Sequence, residues 1–257
     1  MVCGNMIEIK LIKKIDLEGY TLIEGFPGIG LVGPMAISYM VDKLNVDYCG
    51  YIESDKFPPL VSIHKGKPMP PVRLYVSKKD KFVFIFAEFS IPVDLVFELS
   101  ESISKFVVAN KLDRIISIGG TPYPKDVTNS NEKDKNLIFG IASSDSLTKE
   151  IEKAGIESIN EGVASAISAL LLSNSVVNGT NDLTLLVPVN PEIIDPKYAE
   201  VAITAINKLL HLDIDIADLE KEAQSVEAKI RDLIKKNKET HETLKKVTDA
   251  TGPSMYA

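Results

Sequence analysis

The chain has few of the residues from which reactive sites are built. It holds two cysteines in 257 residues, Cys3 near the start and Cys49 inside an apolar run. That count suits a reducing compartment, neither residue sits in a CxxC or other metal-ligand spacing, and Cys49 reads as a small buried hydrophobe. No run of about 18 apolar residues exists to cross a membrane, and the N-terminus lacks a basic segment followed by an apolar one. The expected location is cytoplasmic, with no membrane partner. Basic charge is also short: the net charge is −7 and the pI about 5.2, so no nucleic-acid partner is expected, because a general nucleic-acid binder shows a basic face. The three histidines, His64, His211 and His241, fall in an expected hairpin, a helix end and a charged C-terminal helix. They form no Ser-His-Asp set, Cys-His pair or HxxxH spacing, so no catalytic residue, metal or cofactor is expected.

What is present is ordinary globular material, 45% hydrophobic and 25% charged. Thr21 to Glu24 reads as a strand, Gly25 to Gly30 as a tight loop and Leu31 to Lys43 as a helix. Val46 to Ile52 reads as a strand, and alternating runs between Phe57 and Phe89 suggest antiparallel strands. Pro92 opens a helix to about Asn110, Arg114 to Ile118 is a strand ending in Gly119-Gly120, and Leu137 to Ala142 is another. Helices follow near 146–154 and 161–173, Leu183 to Val187 closes the sheet, and Asp195-Pro196 starts a helix to about Leu210. This alternation predicts a three-layer α/β sandwich with a mostly parallel sheet and an antiparallel excursion.

The end of the chain changes character. Residues 216–248 contain no glycine or proline and carry Leu219, Ala223, Val226, Ile230, Leu233, Leu244 and Val247 in a 3-4 alternation, interrupted by Asn237 and Thr240. Such a narrow seam suits pairing with another copy, and an Asn within it sets register. A helix lying on its own domain is the alternative. The expected domains are an α/β core over 1–215, a heptad helix over 216–249 and a flexible tail over 250–257.

Gly28-Ile29-Gly30-Leu31-Val32-Gly33 is a literal GxGxxG between a strand and a helix, with Glu53 about twenty residues on. By spacing it satisfies the dinucleotide fingerprint. Against that reading, Pro27 stiffens the loop, Pro34 removes a donor from the first helical turn, and proline-rich hairpins replace the next strand–helix unit. No Lys-Ser or Lys-Thr follows the glycines, so a Walker A loop is excluded. The Gly119-Gly120 loop should open on the same sheet edge, where ligands bind in open α/β sheets. Glu24, Glu53 and Glu88 stand near strand ends and are expected to be solvated or ion-paired. A nucleoside- or dinucleotide-binding enzyme using Gly28 to Gly33 remains the alternative function.

The run Glu24-Gly25-Phe26-Pro27-Gly28-Ile29-Gly30-Leu31-Val32-Gly33 resembles the signature of the proteasome assembly chaperone family. Asp195-Pro196-Lys197-Tyr198-Ala199, continuing through Leu209-Leu210 and Leu212-Asp213-Ile214-Asp215 to Leu219 and Ala223, is similar to a second family segment. Gly162 through Leu170-Leu171-Leu172 is a weaker third. The resemblance implies a phosphorylase-like α/β fold without catalysis that forms homo-oligomers, a tetramer being favoured. Met255-Tyr256-Ala257 has the hydrophobic-tyrosine-any-residue form of tails that dock into the α-ring of the proteasome 20S core particle. A terminal carboxylate seeks a cation, a tyrosine offers a rigid apolar body with a polar tip, and carboxylate capture is an established recognition mode. The resemblance therefore implies an ATP-independent proteasome-binding chaperone or activator. Gly25, Phe26, Pro27, Gly28, Gly30 and Gly33 form its signature loop, structural and open to a ligand role.

Overall fold

The computed structural model describes residues 7–64, 66–123 and 137–219. Its strands are β1 Ile7–Leu11, β2 Thr21–Gly25, β3 Asp47–Ser54, β4 Ser62–His64, β5 Lys67–Met69, β6 Val72–Ser77, β7 Phe82–Ala87, β8 Arg114–Pro122, β9 Phe139–Ala142, β10 Glu157–Ser158 and β11 Asn181–Val189. Its helices are α1 Val32–Lys43, α2 Val96–Ala109, α3 Asp145–Lys153, α4 Ala166–Asn178 and α5 Pro196–Leu210. β4 and β5 make a separate hairpin, and the other nine strands form one sheet in the order β1-β3-β6-β7-β2-β8-β11-β9-β10.

The centre of that sheet, β7-β2-β8-β11, is parallel. β6, β3 and β1 extend one side in antiparallel fashion, and β9 pairs antiparallel with β11 on the other. Strands buried on both faces need continuous apolar runs. β7 supplies one, Phe-Val-Phe-Ile-Phe-Ala, buried at every position. One face packs on α1, α3 and α5 through residues such as Ile23, Met40, Ile151 and Ile206. The other packs on α2 and α4 through Leu22, Ile115, Leu99 and Leu171. The three-layer α/β sandwich is the architecture found.

Local signals act where expected at α5: the Asp195 carboxylate accepts the Lys197 N–H at 2.9 Å, and Pro196 takes the first turn. Other expectations need correction. Leu183 to Val187 does not close the sheet, because β11 lies between β8 and β9 with both its faces covered. β8 does not stop at Ile118 but runs through Gly119 and Gly120, which pair with Leu186 and Val187. The helix expected over 161–173 is α4, which begins at Ala166 and runs to Asn178, where Gly179, at φ 67°, ends it. β1, a short alternating edge strand, was not anticipated from the pattern and pairs with β3.

After α5 the chain stays on the domain. The Asn207 side chain donates to the Ile214 carbonyl at 2.9 Å and accepts its N–H at 3.1 Å, and the Tyr39 hydroxyl donates to the Asp215 carbonyl at 2.7 Å. Leu219, at the head of the expected seam, is 2% exposed within the α1/α5 core. The rest of the seam, His241, Cys3 and the tail Met255-Tyr256-Ala257 lie outside the described residues.

Candidate functional site

The glycines of the signature loop bring three backbones together. A Cβ on Gly25 would stand 2.6 Å from the Gly33 carbonyl oxygen, and one on Gly33 would stand 2.6 Å from that of Ile118. β2, α1 and β8 therefore touch main chain to main chain, which only glycine permits. Gly30 takes φ 68° to turn the chain into α1. This packing closes the first turn of α1, where Pro34 also lacks a donor.

The same geometry answers the dinucleotide fingerprint. In that fold the strand bearing the ribose-binding acid is adjacent to the first strand. Here β3, which carries Glu53, is separated from β2 by β6 and β7. Glu53 instead pairs with Lys10 at the sheet edge. Within the run it is Gly33 that serves close packing and Gly30 the turn, and the acid matched with them belongs to another part of the molecule.

What the fold does build at this edge is a row of buried polar side chains. Glu24 on β2 is in register with Ser117 on β8, and Ser117 with Thr184 on β11. They are 2%, 0% and 2% exposed. Glu24 Oε2 accepts the Phe26 N–H at 3.1 Å. Burial pushes the Glu24 carboxyl up to about 7, against the lowering influence of the Ser117 hydroxyl and the Phe26 N–H. The expectation that Glu24 is solvated or ion-paired is thereby corrected: β2 is a central strand, so its acid is covered from both sides. The Ser117 hydroxyl lies by the carboxyl without a well-formed hydrogen bond, and Thr184 Oγ1 has no partner. Asp182, two residues before Thr184 on β11, is pushed up to about 8 by burial and by the Glu24 charge, with the Ser175 hydroxyl bond at 3.1 Å opposing the rise.

Above the row lies a cavity of about 330 Å³. Its floor includes Glu24 and Thr184, its walls Phe26, Gly28 and Gly119, and its far side the start of α4 at Ser165 to Ser168. Among the described residues, Glu24 is the one ionisable group in the lining, and no described lysine, arginine or histidine reaches it. Gly119 and Gly120, expected in a loop, reach this edge as residues of β8, beside the loop that follows β2.

A second group of chemistry-bearing residues was not legible from spacing. His64 on β4, Arg73 on β6 and Glu88 just after β7 converge, with Arg73 Nη2 3.0 Å from Glu88 Oε1 and 3.2 Å from His64 Nε2. Burial acts to raise the Glu88 carboxyl, but the hydrogen bond and charge of Arg73 outweigh it and hold the group below its ordinary value. Arg73 is wholly buried and lies 5.3 Å from the centre of the Phe86 ring. The group fastens the β4–β5 hairpin to the sheet. Cys49 is fully buried and burial pushes its thiol up to about 12, which makes it inert.

Comparison with known proteins follows the fold. An uncharacterized protein of Methanocaldococcus jannaschii is 34% identical over 224 residues, 86% of this chain and 87% of that one. The crystal structure of Pyrococcus furiosus PbaA, described as an archaeal homolog of proteasome-assembly chaperone, matches with a TM-score of 0.77 at 27% identity, over 92% of this chain and 99% of its own. Pyrococcus furiosus PbaB, described as an archaeal proteasome activator, shares the fold with a TM-score of 0.71 at 23% identity, over 89% of this chain and 99% of its own. The PAC2 family model matches residues 22–234, and the chain belongs to the PAC2 family.

Proposed function

We propose that this protein is an ATP-independent proteasome-binding chaperone or activator that docks Met255-Tyr256-Ala257 into pockets of the core-particle α-ring, to assist assembly, open the gate or both. The observation that carries the reading is the likeness to PbaA, which extends over nearly the whole α/β domain. The hydrophobic-tyrosine-any-residue triplet adds the means of docking. In this reading Tyr256 anchors, Met255 packs, and the Ala257 carboxylate pairs with a pocket cation. Several tails on one oligomer engage together, which offsets weak single-tail affinity.

Self-association has support of its own. Val93 and Phe97, before and on α2, are 89% and 68% exposed, and Val177 on α4 is 83% exposed. α4 is apolar around most of its circumference, yet only Ile167, Leu171 and Ser175 are buried. A helix of that kind belongs in an interior or an interface.

The test is co-sedimentation with purified core particle, together with peptidase stimulation. Deleting Tyr256-Ala257, changing Tyr256→Ala, or adding one residue after Ala257 abolishes both while leaving fold and oligomer intact. Full stimulation by the truncated chain refutes the docking tail.

A further inference from the structure

Two glycines in the cavity wall have no packing reason to be glycine. A Cβ on Gly28 would have the Phe26 carbonyl oxygen, at 4.0 Å, as its nearest neighbour, and one on Gly119 would meet Leu186 Cδ2 at an ordinary 3.5 Å. Neither has a positive φ. Gly25, Gly33 and Gly120 are different, since a side chain there collides with backbone. Position 119 is also mid-strand, where β-branched residues fit better than glycine. Both residues line the cavity, Gly28 at its exposed rim and Gly119 on the strand within.

The groups facing that space specify what fits. Thr184 Oγ1, on a residue 2% exposed, has no partner, and a buried polar atom without a partner is costly. The first turn of α4 has amides without intrahelical acceptors, and the Ser165 side chain caps none of them. Those amides and the helix dipole oppose a cation. The Glu24 carboxyl, with no lysine or arginine among the described residues of the lining, opposes an anion. The volume is at the lower limit of small-molecule pockets, roughly 300 to 1,000 Å³, which restricts the occupant to about one ring system. Bare peptide planes at Gly28 and Gly119, with aliphatic Ile91, Val96 and Leu186, suit a flat face.

We propose that this cavity binds a small uncharged nitrogen heterocycle of nucleobase size, its ring N–H directed at Glu24 and its acceptor edge at Thr184 and the α4 amides. A carboxyl that titrates at about 7 serves either as acceptor or as donor near neutrality, so both lactam and imine edges are matched. The site is independent of the docking tail and does not rest on it.

The test uses the full chain with 5-fluorouracil followed by ¹⁹F NMR, and adenine and hypoxanthine followed by saturation-transfer NMR. At least one base binds at or below about 1 mM. Gly119→Val and, separately, Gly28→Ala weaken it by about tenfold or more with thermal unfolding unchanged. AMP and phenethylamine, as anionic and cationic probes, bind about tenfold more weakly than the base. Should Gly119→Val not fold, Gly28→Ala in the exposed loop decides. Absence of binding by all three bases, a cavity holding water alone, binding that survives the cavity-filling variants, or equal binding of either charged probe overturns the proposal.

Discussion

Replacing Glu24 by Gln removes a titrating proton from the middle of the sheet while keeping an acceptor for the Phe26 N–H. The carboxyl moves from an ordinary 4.5 to about 7 on folding, chiefly because burial disfavours its charge. The folded state therefore binds more protons than the unfolded state across that window. This contribution is complete below about pH 4.5 and declines as pH rises to about 7. At 1.36 kcal/mol per unit, the loss is on the order of 3 kcal/mol. Gln does not titrate, so its stability relative to wild type should improve by that order between about pH 4 and pH 8. Asp182, raised first by burial and then by the Glu24 charge, loses the second influence in the variant, and this acts in the same direction. Urea unfolding of both proteins across this pH range, at one protein concentration because association shifts apparent stability, gives the comparison. Parallel stability curves would refute the reasoning and mean that Glu24 is solvated in the folded protein.

Gly33→Ala places a methyl 2.6 Å from the Ile118 carbonyl oxygen, where backbone cannot yield; a loss of about 1–3 kcal/mol is expected by calorimetry, and an unchanged melting temperature refutes the close packing. Glu88→Gln leaves the buried Arg73 charge uncompensated and should cost about 3–5 kcal/mol in urea unfolding, whereas a surface-like effect below about 1 kcal/mol would mean that water reaches the pair. Ile230→Asp with Leu233→Asp puts charge into the heptad seam and should lower the oligomer mass by light scattering; an unchanged mass places that helix on its own domain.

Much of the fold could be read from local pattern, because local pattern follows from local physics. The buried run of β7, the Asp195-Pro196 start of α5 and the strand–loop–helix unit around Gly25 to Gly33 all depend on neighbours a few residues apart. The same locality misled where glycine spacing alone was used: the GxGxxG run has the right letters, but sheet order puts Glu53 three strands away. Leu219 fits a pairing seam by period and is nonetheless covered by its own domain.

The sequence by itself determined an acidic α/β chain, poor in cysteine and histidine, with a family signature at Glu24 to Gly33 and an apolar-tyrosine ending. Only the tertiary structure decided that Glu24, Ser117 and Thr184 stand side by side, that Arg73 meets Glu88 and His64, and that a cavity lies over the first of these groups. Residues 24, 117 and 184 belong to strands far apart in the chain, and their adjacency comes from parallel pairing through crossover connections. Periodicity places a side chain on a face of its strand; which strands become neighbours is settled by packing across the whole sheet.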